Sequence, residues 1–269
     1  MAEIERYYGS GVEGSRLKTG SGKLELARVR ELMTRFLPPA PAIVYDIGGG
    51  TGVHAFWLTK KRYRVHLLDV VPLHIEMVRT AIAAGAVPRL AEAVVGEARQ
   101  LPWQDESADA ALLFGPLYHL TGRNDRQAAL EESWRVLRPG GLLLAAAISR
   151  FASALDGIRE GYLGDPDFAA IVERDLADGQ HQNPTGKPEY FMETHFHHPD
   201  ELHGEIVKAG FVAEGVYGIE GPGWLAHDFE ACWEKPYRRE RLLHLARRLE
   251  AEPALLGISA HLMAVGRKP

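Results

Sequence analysis

The sequence predicts an α/β fold, a mostly parallel sheet with helices packed on both of its faces. Three observations carry this. Short runs rich in Val, Ile, Leu and Ala recur at 42–47, 64–69, 90–95, 108–114 and 142–148. Stretches with helical spacing separate most of them. The runs are apolar throughout rather than alternating with polar residues, as strands covered on both faces must be.

The elements follow in chain order. The first twenty residues are polar and glycine-rich, with Tyr7, Tyr8, Glu13 and Arg16 embedded. In 21–36 the spacing of Leu26, Val29, Met33 and Phe36 makes one face of a helix, and Pro38, Pro39 and Pro41 stop it. A buried strand (42–47) leads into a glycine loop and a helix over 51–59. A second strand (64–69) precedes a helix over 72–84, and 90–95 is a weaker third strand. The fourth strand, 108–114, is followed by a helix over 125–137 ending at Arg138-Pro139-Gly140-Gly141, then a fifth strand, 142–148. The alternation breaks at 150–192, where helical fragments are joined by Gly, Pro and Asn, the pattern of an insertion. A helix over 199–209, a strand over 211–219, a charged helical stretch over 227–250 and a last strand over 258–266 close the chain. The expected division is an N-terminal segment (1–20), a core (21–149 and 193–269) and the insertion (150–192).

A chain of 269 residues is long enough to bury about three quarters of its unfolded surface without disulfides or metal. A hydrophobic share of 46% and a charged share of 25% exclude disordered, collagen-like and coiled-coil chains. The formal charge of −5 does not suit a protein that coats nucleic acid. The lone Cys232 allows no internal disulfide. No apolar h-region opens the chain, and no apolar run approaches the roughly 20 residues that cross a bilayer. The expectation is a soluble, cytoplasmic protein.

The chemical signal lies in Asp46-Ile47-Gly48-Gly49-Gly50-Thr51-Gly52. A strand ends, glycines let backbone N–H groups approach a ligand, and a helix begins with its positive end facing that ligand. A nucleotide-like guest is implied. Gly50, Gly52 and Ala55 also satisfy the G-x-G-x-x-A pattern of dinucleotide sites. Asp46 argues against a dinucleotide. A carboxylate beside the glycines repels a pyrophosphate by several kcal/mol where screening is poor, and attracts an ammonium or a sulfonium. Asp69, at the end of the second strand, is placed to accept both hydroxyls of a ribose and fits either ligand.

On these residues the sequence resembles the class I S-adenosylmethionine-dependent methyltransferases, of the small-molecule kind with a type 11 core. The E/D-x-G-x-G-x-G motif is complete in Asp46, Gly48, Gly50 and Gly52, and Asp69 matches the acid after the second strand. The resemblance covers 40–150 strongly and the last two strands more weakly. It implies a Rossmann-like, seven-stranded sheet with an antiparallel last strand, and S-adenosylmethionine as methyl donor. It places Val70 beside Asp69 and puts Glu97 and Ala98 near the adenine, where Glu97 departs from the commoner Asp. It implies the Phe114 carbonyl on the donor's amine, and the turn Gly115-Pro116-Leu117-Tyr118-His119 at the methyl-transfer site. It also implies that the N-terminal segment closes as a lid, with Tyr8 over the donor and Arg16 forking its carboxylate.

For catalysis the candidates are His119, which titrates near neutrality, Tyr118, and His195. His195, His197 and His198 match no standard zinc spacing and lack a cysteine, so no metal is expected. The insertion is expected to cap a small-molecule pocket. The acceptor atom (O, N or C) stays open, and so does a homodimer; neither nucleic acid nor membrane is expected as partner. Two other functions remain: an NAD(P)-dependent oxidoreductase, and a member of the fold that binds the donor without catalysis.

Overall fold

The structure, a computed structural model, describes residues 16–269. The sheet contains β1 (Ile43–Ile47), β2 (Arg64–Asp69), β3 (Glu92–Val95), β4 (Ala108–Phe114), β5 (Leu137–Ser149), β6 (Gln180–His181), β7 (Thr194–His197), β8 (Val212–Gly218) and β9 (His261–Arg267). Its main body runs β3-β2-β1-β4-β5-β9-β8. β1 to β5 are mutually parallel, and β9 runs antiparallel to both of its neighbours, β5 and β8. β1, β4 and the middle of β5 lie at the centre, and their Val, Leu, Ile and Ala side chains are almost fully buried on both faces. That explains why they read as continuous apolar runs.

The helices are α1 (Gly22–Phe36), α2 (Val53–Lys60), α3 (Pro72–Ala83), α4 (Pro116–His119), α5 (Arg123–Val136), α6 (Ala152–Glu160), α7 (Pro166–Asp178), α8 (Pro199–Lys208), α9 (Phe229–Glu234) and α10 (Pro236–Leu249). One hydrophobic cluster joins α1, α2 and α3 to one face of the sheet through Leu32, Leu58 and Ile75. A second joins α5 and α8 to the other face through Leu130 and Ile206. α1 turns Leu24, Arg28, Val29, Leu32 and Met33 inward, whereas Leu26 is only half-buried, so its buried face is rotated from the spacing first read.

Two departures from the sequence reading bear on the site. β5 begins at Leu137, not 142, and continues through Pro139-Gly140-Gly141 across an irregular register with β4 at Ala108/Ala110. Its other end outruns β4: Phe114 pairs with Ala146, and beyond it Ile148 and Ser149 pair with Phe196 and His197 of β7. β7 thus takes the place that β4 vacates, β6 pairs with β7, and the sheet has nine strands rather than seven. A four-residue strand rich in histidine carries too little apolar pattern to announce itself.

The 150–192 segment has a small core of its own, Phe168, Ile171 and Tyr190 with Tyr162 and Val172 packed on it. Within it the buried Asp175 bonds Ser153 and His181, and His181 bonds the Tyr190 carbonyl. No described helix is long and apolar enough to cross a membrane.

Candidate active site

One large cleft opens at the carboxyl edge of the parallel strands, with about 1350 Å³ of empty space counting its open mouth. At one end its wall comes from β2, β3 and the segment after β3, namely Asp69, Val70, Gly96, Glu97 and Ala98. Asp46, the glycine loop and Phe114 form the middle. Arg16, Glu25, His54, Ile219 and His261 line the other end. The strand order lays out this axis: β3 and β2 lie on one side of β1, and β4, β5 and β9 on the other.

The glycine loop is built for close approach. Gly48 has φ +77°, and a Cβ there would fall 2.6 Å from Pro116 Cδ. A Cβ on Gly49 would fall 2.8 Å from the Asp46 carboxylate. Gly48 and Gly49 donate to the Leu68 carbonyl, and the Gly50 N–H donates to Asp69 Oδ2 at 2.8 Å. Asp69 Oδ1 accepts from the Val71 N–H at 2.9 Å and contacts His74 Nδ1 at 3.0 Å. A carboxylate has about four acceptor positions, so Asp69 retains capacity toward a ligand.

Asp46 is the anomaly. It is fully buried, and neither of its oxygens has a hydrogen-bond partner. Burial first, and then the charge of Asp69, push its pKa up to about 7; the Ala55 N–H lies close enough to lower it slightly but not in hydrogen-bond geometry. A buried polar group of this kind costs stability unless something partners it. The feature that would partner it is a cation arriving in the cleft, and the residues present therefore fit an ammonium or sulfonium ligand.

The remaining candidates separate. Phe114, Tyr118 and His119 line the cleft; Tyr118 also packs on the Ile148–Ala152–Phe196 cluster, which backs it from the insertion side. Burial pushes His119 down to about 4, so it is neutral at physiological pH and a weak base. Glu97 receives both oxygens' worth of the Arg99 guanidinium, with Nε at 2.8 Å from each, and Arg99 also pairs with Asp125. The acid is thus already engaged by protein. Arg16 lines the cleft but forks Glu25 at 2.5 and 2.9 Å. Tyr8, Tyr7 and Glu13 lie outside the described residues.

Two expectations need correction. His195 does not reach the cleft. It shares a face of β7 with His197, their rings 4.6 Å apart, and both point toward α8, where His195 bonds Glu201 at 3.0 Å and His197 meets Glu205 at 3.3 Å. None of 150–192 lines the cleft among the described residues. β7 anchors the insertion beside β5 and above the end of β4, so it backs Tyr118 instead of roofing the opening, which α1 and the segment around Arg16 flank.

Three cleft residues were missed. His54 follows the glycine motif directly on α2, meets Phe114 edge-to-face at 5.5 Å, and buries an Nδ1 with no hydrogen-bond partner. Burial pushes it down to about 4. Glu25 lies one turn before Val29 on the inward face of α1. His261 opens β9, and a reversed last strand necessarily begins at the edge where the parallel strands end. Among the described residues, Glu25, Glu220 and His261 are the group whose ligand-type atoms converge, within 4.8 Å. Glu220 already accepts from Ser259, from the His261 backbone and from the His261 ring, and Arg16 forks Glu25. Nδ1 of His261, facing Glu220 at 2.6 Å, and Arg16 on Glu25 thus partner the group without an ion.

Comparison with known proteins now adds to this geometry. Residues 45–145 match the family described as a methyltransferase domain. A ubiquinone/menaquinone biosynthesis C-methyltransferase of Caulobacter sp. strain K31 is 32% identical over 200 residues, covering 70% of this chain and 74% of that protein. The chain belongs to the class I S-adenosylmethionine-dependent methyltransferases. Enzymes of the same name from Caulobacter vibrioides and Ruegeria align over only about half of their length, 48% and 52%. Solved structures share the methyltransferase fold. A Thermotoga maritima S-adenosylmethionine-dependent methyltransferase, described as a possible histamine N-methyltransferase, superposes over 100% of both chains with TM-score 0.58 and 20% identity. A [4+2]-cyclase superposes over 90% of this chain and 80% of its own, with TM-score 0.55 and 15% identity. The fold alone therefore does not fix the chemistry.

Proposed function

We propose that this methyltransferase binds S-adenosylmethionine across the carboxyl ends of β1 and β2 and methylates a small-molecule acceptor held over β4, β5 and β9. The observation that carries the reading is the buried, unpartnered carboxylate of Asp46 among the glycines. In this reading Asp46 faces the donor's cationic end, Asp69 accepts the ribose hydroxyls, and Val70 and Ala98 flank the adenine with Glu97 at its rim. The Phe114 carbonyl receives the donor's ammonium. Arg16 exchanges part of its fork on Glu25 for the donor's carboxylate. When bound, the donor supplies an activated methyl group, so the protein's task is to position the acceptor and exclude water. Tyr118 and His119 form the wall beside the acceptor, and His119, neutral at pH 7, contributes shape and a hydrogen bond rather than proton uptake.

The relatives' name concerns transfer to carbon; for this chain the acceptor atom stays open among O, N and C. A homodimer and a cytoplasmic setting are compatible with this function. The oxidoreductase alternative requires a pyrophosphate beside Asp46, which the charge opposes. Calorimetry with S-adenosylmethionine, S-adenosylhomocysteine and NADH tests the proposal. Micromolar binding of the first two and none of NADH is expected. No binding of either sulfur compound at millimolar concentration would overturn it.

A further inference from the structure

We propose that His261, held by Glu220, is the general base of this enzyme and takes the proton from a hydroxyl or amine acceptor bound at the β5–β9 end of the cleft. The proposal rests on the methyltransferase reading above and deepens it.

Position comes first. His261 opens β9 at the carboxyl edge, paired with Ile148 of β5, and lines the cleft two residues beyond the level of Phe114, which pairs through Ala146 with Met263. It therefore flanks the acceptor half, on the far side of Asp46 from the ribose-binding Asp69. Orientation comes next. Nδ1 lies 2.6 Å from Glu220 Oε1, while Glu220 Oε2 accepts from the His261 backbone N–H at 3.0 Å and from Ser259 Oγ at 2.9 Å. Both ends of the carboxylate are fixed, and Glu220 is buried. Nδ1 is thus committed, and Nε2, which nothing hydrogen-bonds among the described residues, is the nitrogen left to act. A carboxylate that fixes one imidazole nitrogen so that the other works as a base is a recurrent device of catalysis.

Basicity separates this ring from the other two histidines of the cleft. Burial leaves His54 and His119 near 4. For His261, burial acts in the same direction, but Glu25 and Glu220 outweigh it against the smaller opposition of Arg16, and its pKa rises above the ordinary value. The charged groups facing it are Glu25 and Arg16 near α1 and Glu220 in the turn between β8 and the 221–225 segment, with neutral His54 next to Glu25. A base tuned near the working pH is the efficient one. In the step, the acceptor's oxygen or nitrogen forms a bond to the methyl carbon as the methyl–sulfur bond breaks with its electron pair on sulfur. The acceptor's proton moves to His261 Nε2 and then to solvent.

The test uses the full chain with three readouts. Calorimetry with S-adenosylhomocysteine checks the donor site, where His261→Asn should bind within about twofold of wild type. Failure of the wild type to bind would defeat the methyltransferase reading and not this assignment alone. NMR titration of ring-labelled histidine should place His261 above the ordinary imidazole range, and Glu220→Gln should lower it. A His261 that titrates in the ordinary range and does not respond to Glu220→Gln overturns the dyad. Transfer of labelled methyl from S-adenosylmethionine to a panel of phenols, hydroxy acids and primary amines should occur with the wild type. It should fall at least about 100-fold in His261→Asn, the lower range for a lost general base, and Glu220→Gln should move the acidic limb of the kcat/KM profile to lower pH. Transfer within threefold of wild type in His261→Asn, or no transfer to any panel member by a wild type that binds the donor, overturns the proposal.

Discussion

Two buried acidic regions flank the sheet, and they are built in opposite ways. In the knot between β7, α5 and α8, Glu205 is buried and receives Arg126 at 2.8 Å with His197 at 3.3 Å, while Glu201 binds His195 and Arg150. At the glycine loop, Asp46 is just as buried and has no such partner. Burial raises all three carboxyl pKa values, but in the knot the histidines and arginines outweigh it. Glu205 falls below the ordinary range and Glu201 falls to about 2, whereas Asp46 rises to about 7. The knot is complete without a ligand and holds helices to the sheet. The loop leaves a buried carboxylate unpartnered, and the proposed function seats the donor's cationic end beside it.

The comparison predicts that damage to the knot costs stability, and damage to the loop costs binding. Arg126→Ala strands the buried Glu205 and should destabilise the fold by about 3–5 kcal/mol in urea unfolding, with donor affinity of the folded protein unchanged within about twofold. Asp46→Asn should do the reverse. Its melting temperature should hold or rise, because an unfavourable buried charge is gone. Its affinity for S-adenosylmethionine should drop by roughly 10- to 100-fold, the worth of a charge-assisted contact. A large melting loss in this variant would erase the distinction between the regions.

The two regions also answer pH with opposite signs. Asp46 binds its proton more tightly folded than unfolded, so it contributes stability below about 4 that is lost as pH rises toward 7. Glu201 binds its proton less tightly folded, so its contribution is present above about 4.5 and is lost as pH falls toward 2. Urea titrations of Asp46→Asn and Glu201→Gln against the wild type should show the difference: the first flattens the slope between pH 4 and 7, and the second flattens it below pH 4.5. The smallest effect expected is at the adenine end. Glu97 already spends its charge on Arg99 at a half-exposed site, so Glu97→Gln should change donor affinity by no more than about fivefold.

What the sequence made legible was local. Asp46 and its glycines, Asp69 23 positions after Asp46, and the buried strands around them are patterns within a short window, and the resemblance they supported named the family. What it hid was assembled over distance. Glu25, Glu220 and His261 converge from α1, the turn after β8 and the start of β9, and the first and last are 236 positions apart. His195 looked available in the sequence because nothing there shows Glu201 closing over it from the next helix. The 150–192 segment read as a roof because insertions often cap sites; the short strand β7, which ties it beside β5, had no periodic signature. His54 was findable: it is the second residue after the motif, on the first turn of the helix whose positive end faces the ligand.

The central claim is that the Asp46 carboxylate awaits a cation, and the most direct measurement is its own titration. Carbon-detected NMR of labelled aspartate should find Asp46 titrating near 7 in the free protein and well below the ordinary carboxyl range once S-adenosylmethionine saturates it. An Asp46 that titrates near 4 in the free protein, or stays near 7 with the donor bound, would contradict the account.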